Sequence, residues 1–186
     1  LGLPVGPSAI DRLMSVADMP DSLQLAIVEG SIALPVAISI NSLEPEDART
    51  LCALFQKLNT GLNNQREILE LVVELSRIED MPISGLLARR DIASILTDTD
   101  RQIPQQVQHL RRTLKKMRFP TLSAAEDAFY QTLRELNLNP GISLQPPRFF
   151  EGKTFRLAFS FNSRRQLQSL MPDIEKIANH SNLLPE

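Results

Sequence analysis

Cysteine and histidine are scarce in this chain. Cys52 is the only cysteine among 186 residues, and His109 and His180 are the only histidines. One cysteine excludes an intrachain disulfide and with it the disulfide-framed class of small secreted domains. Two histidines and one cysteine, far apart in sequence, cannot be assembled by spacing into a zinc cluster. Cys52 falls among Leu51, Leu54, Phe55 and Leu58 at helical spacing, where a thiol serves as a small buried hydrophobe. No run approaches the roughly 20 apolar residues that span a bilayer, and no signal-peptide pattern is visible. Glycine is sparse too: Gly2, Gly6 and Gly30 do not form a phosphate loop. No serine sits in a nucleophile-elbow context. Glu44, Glu46 and Asp47 cluster where a helix start favours carboxylates. Glu79, Asp80, Asp98 and Asp100 do not match a calcium-loop spacing. These absences lead us to expect a cytoplasmic chain with no catalytic centre, no cofactor and no metal.

What is present is ordinary for a protein with a real core. Apolar residues make up 42% and charged residues 23%, with a formal net charge of -2. A near-neutral total argues against a wholly basic nucleic-acid binder but leaves room for a basic face. The chain begins at Leu1, so we expect it to be a piece of a longer protein.

Up to Pro120 the apolar spacing is helical throughout. Pro7 and Ser8 open a short helix to Val16, and Pro20 ends that element. Asp21 opens the next, carrying Leu23, Ala26 and Ile27, and Gly30 stops it. A third spans Pro35 to Ile40. Residues 46–58 carry Ala48, Leu51, Cys52, Leu54, Phe55 and Leu58. Asn63 or Asn64 is expected to cap the helix that follows, with Ile68, Leu69, Leu71, Val72, Leu75 and Ile78 inward. Short helices are expected near Leu86 and Ile92, then a longer one over residues 102–118.

After Phe119-Pro120, Thr121 or Ser123 is expected to start a helix, with Ser123 and Glu126 forming a capping box. Asn139-Pro140-Gly141 is a turn signal, and beyond it the period changes to two. Ile142 and Leu144 alternate with polar residues. Phe155, Leu157, Phe159 and Phe161 alternate with Arg156, Ser160 and Asn162. Ser163 caps a last helix, which Pro172 is expected to kink or interrupt. The fold class is therefore mainly α: a multi-helical domain over residues 1–120 and a small αββα domain over residues 121–186. A two-stranded sheet of that size is marginal alone. We expect the two helices to cover its aromatic face and one open edge per subunit to pair across a homodimer, the alternative being that the first domain covers the sheet within one chain.

One segment carries a charge signal. Residues 101–120 hold six basic side chains and no acidic one: Arg101, Arg111, Arg112, Lys115, Lys116 and Arg118. Val107, Leu110, Leu114 and Met117 form a separate apolar stripe. A helix that lies on phosphates needs that division of faces.

Residues 1–40, LGLPVGPSAIDRLMSVADMPDSLQLAIVEGSIALPVAISI, resemble the central region of ParB-type chromosome and plasmid partitioning proteins. In that family a helix-turn-helix recognition helix precedes a leucine-proline pair, a helix ending in glycine, and a further helix. Here Pro7–Val16 take the place of the recognition helix, Met19-Pro20 that of the pair, Leu23–Gly30 that of the next helix, and Ile32–Ile38 that of the last. The resemblance covers about the first 45 residues, a quarter of the chain. It implies non-catalytic binding of double-stranded DNA, with Ser8, Asp11 and Arg12 facing the DNA by their place in the motif. Asp11 repels phosphate, so only a base contact suits it. The resemblance further implies a dimer associated with the bacterial nucleoid or a plasmid, and a partition ATPase as partner of regions outside this chain. The family's nucleotide-binding domain, which binds and hydrolyses CTP in its best-known members, has no counterpart here. Pro35-Val36 and Ile38 also replace the family's histidine and arginine in the last helix. The competing expectation is a protein-interaction or oligomerisation scaffold without DNA contact.

Overall fold

The computed structural model describes residues 16–180 and Leu183. Among them are nine α-helices and one two-stranded sheet. The chain divides into two compact units at the Arg118–Phe119 peptide. The expected recognition helix lies outside the described residues, apart from Val16, which is helical together with Ala17.

In the first unit, Pro20 precedes α1 (Asp21–Val28), with Asp21 in the first turn. Gly30, at φ +74°, turns the chain out of α1 through a conformation that side chains rarely adopt. Then follow α2 (Leu34–Asn41) and α3 (Pro45–Leu58), each with a proline in its first turn, where the missing N–H costs nothing. Next come α4 (Leu62–Ile78), α5 (Ile83–Leu87), α6 (Arg90–Thr97) and α7 (Ile103–Arg118). Their apolar faces close one core in which Phe55, Leu58, Ile68, Leu75, Leu86 and Leu110 are almost wholly buried. Cys52 is part of it, as a small hydrophobe.

Two polar side chains tie this core together across long stretches of sequence. Gln65 is buried, and its Oε1 accepts from Ala33 N at 2.9 Å. Its Nε2 donates to Ser31 O at 2.9 Å and to Thr60 O at 2.6 Å. Asp47 Oδ1 accepts from Ile83 N at 2.9 Å, so a carboxylate on α3 satisfies an orphan donor at the start of α5. α4 starts one residue before Asn63: Gly61 takes the cap position, and Leu62 packs its side chain on the core. Asn64 instead donates to Thr60 Oγ1 at 2.8 Å.

The second unit contains α8 (Pro120–Leu136), β1 (Ile142–Gln145), β2 (Arg156–Phe159) and α9 (Arg164–Asn179). The expected capping box does not form. Phe119 occupies the cap, Pro120 with its preset φ begins the helix, and Ser123 N already donates to Phe119 O inside the first turn. Ser163 does cap α9, accepting from Gln166 N at 3.2 Å. α9 runs through Pro172 without a break. The strands pair antiparallel, with Ile142 opposite Phe159 and Leu144 opposite Leu157.

The loop between the strands holds Phe149 and Phe150 at φ 58° and 57°. Left-handed backbone at two successive bulky residues costs about 1–2 kcal/mol each. The arrangement sends Phe150 inward, edge-on to Phe129 at 5.6 Å, and leaves Phe149 exposed beneath the Arg148 guanidinium. The core is small: among the described residues Phe129, Leu144, Ile177 and Leu183 are the buried members of one cluster, and Leu170 of α9 is buried besides. The expectation that the helices cover the whole aromatic face fails at one end. Phe159 remains 38% exposed and Phe161 49%, because β2 stops at Phe159 and the chain leaves the sheet toward the cap of α9.

Candidate nucleic-acid interface

The basic segment folds as α7, and its apolar stripe does what the spacing predicts: Val107, Leu110 and Leu114 are buried. α7 packs most extensively on α4. Arg111 Nε donates to Glu67 Oε2 at 2.6 Å, and Arg118 Nε to Glu74 Oε2 at 2.5 Å. Lys115 Nζ reaches the other oxygen of Glu67 at 2.7 Å. Three of the predicted phosphate-facing cations are thus ion-paired with carboxylates of α4. Arg112 and Lys116 are exposed.

Burial pushes the Glu67 carboxyl up. Hydrogen bonds from Lys115 and Arg111, reinforced by their charges, outweigh it and hold the group below its ordinary value. Glu67 is therefore anionic at neutral pH and offsets positive charge on this face of α7. Glu67 and Glu74 lie outside the residues marked by the charge signal of residues 101–120. Their signal was available: they stand seven residues apart on α4, as Arg111 and Arg118 do on α7.

At the start of α7, Arg101 Nε pairs with Asp98 Oδ2 at 2.9 Å, and its Nη1 contacts the Nδ1 of half-buried His109. Gln106 is buried there and donates to Asp98 O. Ser8, Asp11 and Arg12, the candidate base-facing residues, lie outside the described residues.

Burial raises the pKa of Cys52, the opposite of an activated thiol. Among the described residues no group of three or more histidine, cysteine or acidic side chains could hold a metal ion, and no helix is long and apolar enough to cross a membrane. An open groove of about 600 Å³ runs between α2 and α4, floored by Val36, Leu69 and Val73, with Arg66, Glu70 and Arg77 on its rim. No protein-family model, no curated protein and no solved structure matches the chain.

Proposed function

We propose that this chain is a non-catalytic DNA-binding and dimerising module of a ParB-like partitioning protein, acting on the nucleoid or a plasmid. The observation that carries this reading is the order of elements around residues 16–41. A helical end at Val16–Ala17 is followed by the Met19-Pro20 break, α1, the left-handed Gly30 and α2. That is the succession the resemblance implies. The exposed cations of α7 add a face suited to phosphates, with Arg112 the best placed. Dimerisation is supported by the small core of the second unit and by its sheet, in which each strand has a single neighbour.

The experiment is a fluorescence-anisotropy titration of the whole chain with labelled duplex DNA at several salt concentrations. The expected result is binding whose affinity falls as salt rises, since phosphate contacts release counterions. Absence of duplex binding at low salt counts against the reading. The ion pairs that Glu67 and Glu74 make with α7 favour a second reading, a protein-interaction scaffold in which the basic side chains only fasten helices together. In that case the chain sediments as an oligomer yet leaves duplex anisotropy unchanged.

A further inference from the structure

The hairpin of the second unit combines two features that the duplex-binding reading does not use. The first is aromatic. Phe159 and Phe161 stack at 6.3 Å with their planes 29° apart, and both are open to solvent. The second is charge. Residues 141–166 carry five basic side chains (Arg148, Lys153, Arg156, Arg164 and Arg165) against one acidic, Glu151, a local excess of four in a chain of net charge -2. Arg164 and Arg165 follow the aromatic pair within a few residues, in the first turn of α9, and both are exposed. At the loop end, Arg148 lies 5.0 Å over the exposed Phe149 ring. Arg156 is exposed on the outer face of β2.

A positive track favours a polyanion, and exposed parallel rings favour flat π-faced groups. One class of ligand supplies both: a nucleic-acid strand with unpaired bases. A duplex supplies the charge but keeps its base faces stacked on one another. A second copy of this chain laid ring against ring on this pair would bring its own Arg164 and Arg165 against these, and like charges brought together across an interface oppose association there.

We propose that the Phe159–Phe161 pair, with Arg164 and Arg165, is a platform for single-stranded nucleic acid: bases stack on the rings and the backbone runs along the arginines. This site is built from residues of the second unit alone, and the proposal does not depend on duplex binding by the first.

The test uses the whole chain and two labelled probes about twelve nucleotides long, within the range that such sites cover. One is oligothymidylate; the other has the same sugar-phosphate backbone but abasic sites throughout. The chain should bind oligothymidylate more tightly than the abasic strand. Phe161→Ala should weaken oligothymidylate binding at least about fivefold, the low end for loss of one stacked base. It should leave abasic-strand binding and duplex binding unchanged. Phe161→Tyr, which keeps the ring, should retain affinity and so separates stacking from damage to the fold. Arg164→Gln with Arg165→Gln should weaken both probes. Equal affinity for the two strands overturns the proposal, as does an unaltered oligothymidylate affinity in Phe161→Ala. A change in sedimentation for Phe161→Ala without any change in strand affinity also overturns it and assigns the rings to protein contact. Loss of duplex binding alone leaves these outcomes intact, so the two readings fail separately.

Discussion

Glu67 on α4 accepts hydrogen bonds from Arg111 on α7, and seven residues further along both helices Glu74 accepts from Arg118. The sequence offset is 44 in each case, so the two helices run parallel and in register. Seven residues is about two helical turns, which returns each pair to the same side of the seam. The apolar stripes of both helices belong to the core beside these charges.

The pairing makes stability depend on pH in a definite direction. The Glu67 carboxyl is held below its ordinary value, so its contribution is complete above the unfolded-state pKa, about 4.3, and is lost as pH falls through the lower folded value. Glu67→Gln should cost up to about 1 kcal/mol at neutral pH, because both partners are only partly buried. It should also flatten the acid limb of stability. Urea midpoints for both proteins between neutral and acidic pH check this, and parallel acid limbs would contradict it.

Gln65 offers a larger effect from a smaller change in charge. Its amide satisfies Ala33 N, Ser31 O and Thr60 O within a buried site. Gln65→Leu keeps much of the volume but leaves three backbone groups without this partner. Each unsatisfied buried group costs about 1–3 kcal/mol, so a loss of at least about 2 kcal/mol is expected. Gln65→Glu should also destabilise, since it replaces the donor to two carbonyls with an acceptor. Thermal or urea unfolding of the two variants measures it.

Most of the helical framework was legible because its signals are local. Pro20, Gly30, Pro45, Gly61 and Pro82 punctuate the chain, and apolar residues recur at helical spacing between them. The capping box at Ser123 misled because Pro120 is a better helix start than any side-chain cap three residues on. The work done by Gln65 and Asp47 was not legible, since each acts on a group more than thirty residues away in sequence, and that of Glu67 and Glu74 shows in the sequence only as a seven-residue spacing matched to that of Arg111 and Arg118. Exposure of Phe159 and Phe161 was hidden for a related reason: alternation identifies a face but not how far its cover extends.

The ion-pair register sorts the basic residues of α7 by expected role. Arg112 is exposed, whereas Arg111 is partly buried against Glu67. Arg112→Gln should therefore lower duplex affinity at every sequence and reduce the salt slope by about one, with folding stability unchanged. Arg111→Gln should do the reverse, lowering stability with little effect on the slope. Anisotropy titrations at several salt concentrations, alongside urea unfolding, separate the two. Equal salt slopes for both variants would remove Arg112 from the proposed interface.

The last prediction concerns which edge of the small sheet joins two copies. β2 begins with Arg156 and follows Lys153, and charged residues guard an edge against pairing. β1 carries Ile142, Ser143, Leu144 and Gln145, with no charge and no proline. Pairing β1 with β1 of a second copy across a two-fold axis gives a four-stranded sheet in the order β2-β1-β1-β2. It satisfies one open edge per subunit and enlarges a core whose buried apolar members are few. It also leaves Phe159 on the outer strand and Phe161 beyond the end of that strand, clear of the two-fold. Ser143 is exposed, on the sheet face opposite that of buried Leu144. Ser143→Lys adds no bulk to the monomer's core, but the two-fold brings the new cations of both copies close together. The expected outcome is a shift from dimer to monomer in sedimentation at about 100 μM, well above the dissociation constant of a micromolar interface, with the helical circular-dichroism signal unchanged. Ser143→Thr, uncharged and suited to a strand, should stay dimeric. A wild-type chain that is monomeric at that concentration refutes the dimer itself. A Ser143→Lys protein that stays dimeric moves the interface away from β1.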